Sequence, residues 1–390
     1  EQLSWIFEFL TDEIGLDPKK LYVTVFIGDE KNNIPKDTES EEVWKELFAN
    51  NGIEAKTIEI GSEENGYKVG MQEGRIFYYD AKKNWWSRSG VPANMPAGEP
   101  GGPDSEIFYK FDHIEHNTKF GECCHPNCDC GRFLEIGNSV FMEYKKNQDG
   151  TFSKLPKQNV DFGGGLERIA MASANNADIV AVNYQPVIEY LEKSSGKKYG
   201  ADESSTRAFR IVADHIKAAV FLIADGVRPS NAEQGYFVRR LIRRAVRYAD
   251  SLGVEKSTFA NVVLPVANMY KNVYPNVGGK TDEIQKVIAD EEDKFRKTLK
   301  VGLRRFENIA HAEITGKNAF DLYQSYGFPI EITIELAKEK GILVDIENFK
   351  KELKKHQDLS RSGSEKKFKG GLGDASEMSV KYHTATHLLQ

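Results

Sequence analysis

Residues 159 to 170 read Asn159-Val160-Asp161-Phe162-Gly163-Gly164-Gly165-Leu166-Glu167-Arg168-Ile169-Ala170. A strand-like run ends at Asp161, three glycines follow, and a helical pattern then carries Arg168 in its first turn. Glycine allows sharp turns and, having no Cβ, lets a flat ligand approach the backbone closely. Arginine stays charged at any working pH and presents a planar fork that suits phosphate. The segment therefore reads as a strand, a bare floor at Gly163 and Gly165, and a cationic clamp, which together make a nucleotide site. On local pattern alone it reads equally well as a Gly-rich turn that caps a helix.

The preceding strand favours the site. Residues 133 to 144 read Phe-Leu-Glu-Ile-Gly-Asn-Ser-Val-Phe-Met-Glu-Tyr. As a strand, one face carries Leu134, Ile136, Asn138, Val140 and Met142. Asn138 is then a polar group in an apolar row, and burial costs free energy unless it finds a partner. An edge-strand Asn bonded to solvent or to a nearby loop is the plain alternative. Asp149-Gly150 is a hairpin signal, so the chain returns as an antiparallel neighbour through Val160 to Asp161. That pairing predicts Asn138, Val140 and Asp161 around one small pocket beside Arg168. Such a pocket suits a small amino acid with an ammonium group.

The chain here resembles the alanyl-tRNA synthetases, a family of class II aminoacyl-tRNA synthetases. That family shows a Glu-Ile-x-Asn-x-Val-Phe strand, then Val-Asp-x-Gly-x-Gly-Leu-Glu-Arg, the third class II signature, and the spacing from Asn138 to Asp161 fits. Matches run along nearly the whole chain: Leu21 to Phe26 followed by Gly28-Asp29-Glu30, Asn84-Trp85-Trp86, and Gly102-Pro103-Asp104-Ser105-Glu106-Ile107. Further on come Ile223-Ala224-Asp225-Gly226-Val227 with Pro229-Ser230-Asn231, Tyr326-Gly327-Phe328-Pro329, and His383-Thr384-Ala385-Thr386-His387. Each is weak alone, but their order and spacing are specific.

A length of 390 residues argues for two or three domains. No segment is apolar enough to span a membrane, and no secretory or organellar leader is visible. The net charge of -6 does not mark a general nucleic-acid binder, so any RNA contact must come from a local basic face. Neither a membrane nor DNA is expected as a partner. The four cysteines, all between 123 and 130, fit a reducing compartment, and a cytoplasmic location is expected. The chain opens inside a helical pattern (Leu3, Ile6, Phe7, Leu10) and closes just after His387. By resemblance, the first two class II motifs, with the arginine that holds the α-phosphate, would precede Glu1, and most of an editing domain would follow. The chain therefore reads as a fragment or as one piece of a split enzyme.

Residues 1–174 alternate strands and short helices. Strands are expected at Leu21–Ile27, Ile53–Ile60 and Glu106–Phe111, a helix around Trp44, Leu47 and Phe48, and a Gly/Pro-rich loop from Gly90 to Pro103. The fold class is α+β. By resemblance this part is an incomplete class II catalytic domain with an antiparallel sheet. Residues 175–356 turn helical and are expected to form an all-helical tRNA acceptor-stem recognition domain. One helix is capped by Ser204-Ser205-Thr206 and ended by Gly226, a second runs from about Gly235 to Leu252, and a third from about Thr281 to Ile309. Residues 357–380 read as a linker, and 381–390 as the start of the editing domain.

In the second of these helices Arg239, Arg243 and Arg247 form one stripe, with Arg240 and Arg244 beside it. Five arginines without an acid between 239 and 247 can neutralise several phosphates. A solvated face paired with acids is the usual meaning of a charge run, but the family uses this region for the tRNA acceptor stem. Asn231 matches a family residue that contacts the acceptor-stem wobble pair. Its partner position is an Asp in many members and is Gln324 here, which both donates and accepts.

Cys123, Cys124, His125, Cys128 and Cys130 form a compact set. The four thiols suit a tetrahedral Zn²⁺, though the spacing is not a paired CxxC. A structural zinc on Cys123, Cys124, Cys128 and Cys130 and a set of unligated loop thiols remain equally open. His383 and His387, at i and i+4, can share a helix face toward a metal, and by resemblance they open the editing domain and its zinc site. Asp112, His113, Glu115 and His116 read as solvated surface.

The resemblance implies two steps. The carboxylate of alanine attacks the α-phosphate of ATP, with Mg²⁺ balancing charge, to give alanyl-adenylate. The 3′ adenosine of tRNA(Ala) then takes the alanyl group. Arg168 would hold the ATP phosphates over Gly163 and Gly165, Asp161 the alanine ammonium, and Asn138, Val140 and Trp86 would shape the small pocket. Two rivals stand beside this: a non-catalytic tRNA-binding fragment, and a metal-dependent hydrolase that edits mischarged tRNA.

Overall fold

The computed structural model describes residues 1–311 and 313–367, in two compact units, Glu1–Gln185 and the part from Pro186 onward. The first unit begins with α1 (Gln2–Glu8), which continues as a widened helical turn, Phe9–Glu13. Then come β1 (Leu21–Phe26), α2 (Thr38–Asn50), β2 (Thr57–Gly61), α3 (Glu63–Val69), β3 (Ile76–Tyr79), β4 (Trp85–Ser87) and β5 (Pro100–Lys110). After them lie β6 (Phe133–Lys146), β7 (Phe152–Gly164), α4 (Leu166–Ser173) and α5 (Ile179–Asn183). The strands form one sheet in the order β2-β3-β1-β5-β6-β7, with β4 added on β5.

That sheet is mixed, which corrects the antiparallel expectation. β3 pairs parallel with both β1 and β2, while β1–β5, β4–β5, β5–β6 and β6–β7 are antiparallel. The parallel pairs follow from the connections. α2 and α3 carry the chain back between strands, and a strand reached through such a crossover lies parallel to its neighbour. The antiparallel half is a meander whose β6–β7 turn holds Gly150 at φ 85°, the left-handed conformation that a Gly after Asp149 permits.

α1 and α2 cover one face of the sheet. Asp37 caps α2 by accepting from the Ser40 amide at 3.0 Å. Trp44 and Phe48, on one stripe of α2, pack with Phe7 of α1 over Val23, Val25, Ile76, Tyr78 and Ile107. Trp44 Nε1 donates to Ser105 Oγ at 2.8 Å, and that hydroxyl donates to the Thr24 carbonyl at 2.9 Å. Ser105 thus faces the helices, and by strand alternation Asp104 and Glu106 face the other way. The segment Gly101–Pro103, expected in a loop, belongs to β5. The Phe141 carbonyl comes so close to Gly102 that any Cβ there would collide with it.

The second unit contains α6 (Gln185–Ser195), α7 (Glu203–Ala224), α8 (Glu233–Leu252), α9 (Lys256–Phe259), α10 (Val263–Tyr270) and α11 (Pro275–Gly279). These are followed by α12 (Thr281–Ile309), β8 (Glu313–Ile314), α13 (Gly316–Tyr326), α14 (Ile330–Glu339), β9 (Leu343–Val344) and α15 (Ile346–Lys367). The unit is helical apart from a short parallel pair, β8 with β9, so it is not all-helical. Its centre is α7 against α8, where Val212, Ile216, Ala219 and Val220 are buried with Val238, Ile242, Ala245 and Val246. The cap of α7 is Asp202, which accepts from the Ser205 amide at 2.7 Å, rather than the serines themselves. α15 runs into the stretch expected as a linker, because its Lys, Glu, Gln and Leu residues favour helix over the scattered Ser and Gly. The rest of that stretch, with His383 and His387, lies outside the described residues. No helix among the described residues is long and apolar enough to cross a membrane.

Candidate active site

The sheet face opposite α1 and α2 carries a grid of polar positions. Across one row Thr24 of β1 pairs with Glu106 of β5, Glu106 with Asn138 of β6, and Asn138 with Gly163 of β7. In the next row Asp104 pairs with Val140 and Val140 with Asp161. Asn138, Val140 and Asp161 are therefore immediate neighbours on one face, as the hairpin pattern predicts. Gly163 stands directly opposite Asn138 with nothing within 4 Å of where a Cβ would be. Gly163, Gly164 and Gly165 are all absent from the positive-φ positions. Of the three only Gly163 is bare; a Cβ at Gly164 would meet the Phe162 ring, and one at Gly165 the stem of Arg168.

Beneath the grid lies a network in which the sequence reading assigned no roles. The Asn84 amide donates to Thr24 Oγ1 at 2.8 Å and to Asp104 Oδ1 at 3.1 Å, and Thr24 Oγ1 donates to Glu106 Oε2 at 3.2 Å. Asp104 is only 2 % exposed. Burial pushes its carboxyl up to about 7, against the opposing pull of hydrogen bonds from Asn138 and Asn84. Glu106 is raised well above the ordinary carboxylate range, first by burial and then by the charges of Asp104 and Glu135. Asn138 Oδ1 and Asn84 Oδ1 are buried without hydrogen-bond partners among the described residues. Buried acceptors are rarely left unpaired, so this corner holds two acids that burial pushes toward their neutral form and an unused acceptor. The signal in the sequence was present: Asn84, Asp104 and Glu106 sit in two of the motifs that matched the family.

At the end of the glycine floor Gly165 is the N-cap residue of α4, and Arg168 follows in its first turn. Arg168 Nη1 donates to the Glu135 carbonyl and to Glu135 Oε2, both at 3.0 Å. Nothing else among the described residues bonds its other nitrogens, and the side chain is 46 % exposed, so part of the fork faces outward. Asp161 is exposed, and its Oδ1 accepts from the Phe162 amide at 2.9 Å. Trp86 is also exposed. It borders an open depression with Arg88, Glu99 and Met142, so it stands one strand position beyond Val140 and not against Asn138.

The loop between β5 and β6 revises the metal set. His116, Cys124, Cys128 and Cys130 come together, their donor atoms all within 4.8 Å of one another. Cys123 is not in that group; it packs against Gly70. His125 is turned away as well. It is buried against Tyr67, with Nδ1 2.8 Å from the Tyr79 hydroxyl. His116, read from the sequence as solvated surface, takes the fourth place.

In the second unit the arginines of α8 are matched by acids. Arg243 is 5 % exposed, and its Nε donates to Glu291 of α12 at 2.6 Å while Nη1 donates to the Gly327 carbonyl. Arg239 lies 3.6 Å from the same Glu291, and Arg240 is 2.7 Å from Glu331. Arg244 pairs with Glu335, and Arg247 with Glu335 at 3.3 Å and Glu339 at 2.8 Å. The stripe expected to be free for phosphate is a lock between α8, α12 and α14. The acids are distant in sequence, so a search between 239 and 247 could not find them. Asn231 and Gln324 are exposed instead, each close in sequence to one ring of the Tyr236–Tyr323 contact that joins the start of α8 to α13.

A family model described as tRNA synthetases class II (A) matches residues 1–388, and the chain belongs to that family. Its curated relatives include alanine–tRNA ligases. That of Borrelia hermsii is 39 % identical over 398 residues, covering 99 % of this chain and 61 % of the relative. That of Treponema pallidum is 37 % identical over 406 residues, covering 100 % of this chain and 61 % of the relative. That of Staphylococcus epidermidis is 36 % identical over 375 residues, covering 93 % and 38 %. The chain thus spans about three fifths of the length of the first relatives it matches.

Proposed function

We propose that this chain carries the amino-acid-activating site of an alanine–tRNA ligase. The observation that carries the reading is the grid itself: the unpaired Asn138 Oδ1, the Val140 side chain and the Asp161 carboxylate are neighbours on one face of the sheet, with a bare Gly163 beside them. An ammonium group there meets the Asp161 carboxylate and a buried acceptor, which favours a cation over a neutral ligand. Val140 limits the side chain to a methyl-sized group. Glycine and serine are hard to refuse by such means, since one methyl or hydroxyl is worth only about 1–3 kcal/mol.

ATP and Mg²⁺, when bound, supply the electrophilic α-phosphorus and the charge balance for its displacement. Gly163 leaves room for the nucleotide along the backbone, Gly165 seats the stem of Arg168, and the free part of the Arg168 fork holds phosphate. The carboxylates of the grid are hard oxygen donors of the kind Mg²⁺ prefers. The amino acid's carboxylate, oriented by its ammonium on Asp161, attacks the α-phosphorus and expels pyrophosphate, giving alanyl-adenylate. The 3′-terminal adenosine of tRNA(Ala) then takes the alanyl group. In the second unit we assign contact with the acceptor stem to Asn231 and Gln324 at their exposed corner, and assign Arg239, Arg240, Arg243, Arg244 and Arg247 to holding the helices. The test is ATP–pyrophosphate exchange. Exchange stimulated by alanine and not by leucine is the expected result; exchange indifferent to alanine rejects the reading.

A further inference from the structure

We infer that His116, Cys124, Cys128 and Cys130 form a structural Zn²⁺ site in the connection between β5 and β6. The spacing of the donors matches the ion. At a Zn–S length of about 2.3 Å and a Zn–N length of about 2.0 Å, a tetrahedron puts two sulfurs roughly 3.8 Å apart and a sulfur and nitrogen roughly 3.5 Å apart. Cys124 Sγ lies 3.6 Å from Cys130 Sγ, and Cys128 Sγ lies 3.7 Å from His116 Nδ1. The sulfur pair is far outside the disulfide length of about 2.05 Å. Three thiolates and one imidazole in a tetrahedron select zinc over magnesium or calcium.

The histidine is set up for the task. His116 Nε2 lies 2.9 Å from the Gly121 carbonyl, an acceptor only, so Nε2 carries the proton and Nδ1 keeps its lone pair toward the three sulfurs. A backbone carbonyl holding the second ring nitrogen is the usual support for a zinc-bound imidazole. The cysteines are buried or half-buried, not displayed to solvent. The loop around them has little else of its own, a single short helical turn at Thr118–Phe120. It is moored outside the site by His125 on Tyr79 and by the Cys123 amide, which donates to the Tyr67 carbonyl at 2.8 Å. The site closes the end of the β5–β6 pair, where Lys110 faces Phe133. Those two strands carry Asp104, Glu106, Asn138 and Val140, so the metal fixes the hairpin on which the grid is built.

Protein purified under reducing conditions should carry about one zinc per chain by elemental analysis. Replacing zinc with Co²⁺ should give thiolate-to-cobalt charge-transfer bands and the intense visible bands of a tetrahedral ion. His116→Gln and Cys128→Ser should lose metal, whereas Cys123→Ser should keep it. His116→Cys should restore binding with the cobalt bands moved to longer wavelength, which a merely packed histidine would not do. Should the losing variants fail to fold, the wild-type cobalt spectrum and the Cys123→Ser protein still decide the matter. Metal-free wild-type protein with no cobalt spectrum overturns the site. So does loss of metal in Cys123→Ser with retention in His116→Gln.

Discussion

Replacing Arg243 with methionine tests whether the α8 arginines hold the fold or wait for RNA. Arg243 is 5 % exposed and Glu291 4 %, and their pair is the buried member of the lock. Removing one partner of such a pair leaves a buried charge and costs about 3–5 kcal/mol. Arg239, 3.6 Å from the same carboxylate, offsets part of that, and the Gly327 carbonyl loses its donor. The expected loss is therefore near 3 kcal/mol. By contrast Arg240 and Glu331 are each about a third exposed, and Arg240→Gln should cost no more than about 1 kcal/mol. The double change Arg243→Met, Glu291→Leu should recover part of the loss, because the buried charge is gone and only the partly exposed Arg239 loses its carboxylate. The assay is urea unfolding followed by far-UV circular dichroism. All four tryptophans, at 5, 44, 85 and 86, lie in the first unit, so fluorescence reports there while the dichroism weights the helices of the second. If Arg243→Met and Arg240→Gln cost the same, or if the double variant is no better than the single one, the lock is not what the geometry indicates.

Two further outcomes follow from the first unit. The Asp104 carboxyl sits at about 7 in the folded chain against 3.8 as its reference value. Its neutral form therefore favours folding fully below pH 3.8, and that contribution is lost as pH rises through 7. The Tm advantage of Asp104→Asn over wild type should grow from pH 5 to pH 8, and an advantage that does not change with pH refutes the assignment. Gly102→Ala should destabilise by about 1–3 kcal/mol as its Cβ meets the Phe141 carbonyl, read from the midpoint of urea unfolding by tryptophan fluorescence; an unchanged midpoint refutes the close approach.

What the sequence made legible was whatever short-range pattern encodes. Asp149-Gly150 and the alternation on both sides of it placed β6 and β7 side by side, and with them Asn138, Val140 and Asp161. The apolar spacing from Thr281 to Ile309 gave α12 its bounds. What stayed hidden depends on distant partners. β3 lies parallel between β1 and β2, and no local pattern states which strand a crossover returns to. The basic run on α8 reads the same whether its counter-ions are phosphates or Glu291, Glu331, Glu335 and Glu339. His116 looks like surface until the chain folds back to set it beside Cys128. Asp104 and Glu106 lie in a matched motif, but only burial shows that two acids share one low-dielectric corner.

The central claim is that Asp161 receives an ammonium group. Calorimetric titration with a non-hydrolysable alanyl-adenylate analogue, on wild type and Asp161→Asn, tests it directly. Asp161 is exposed, so losing its charge should cost about 1.5–3 kcal/mol of binding, the worth of a charged hydrogen bond, or roughly 10- to 150-fold in affinity. The same analogue lacking the amino group should bind both proteins equally. Equal weakening of both analogues by Asp161→Asn, or none at all, would contradict the assignment.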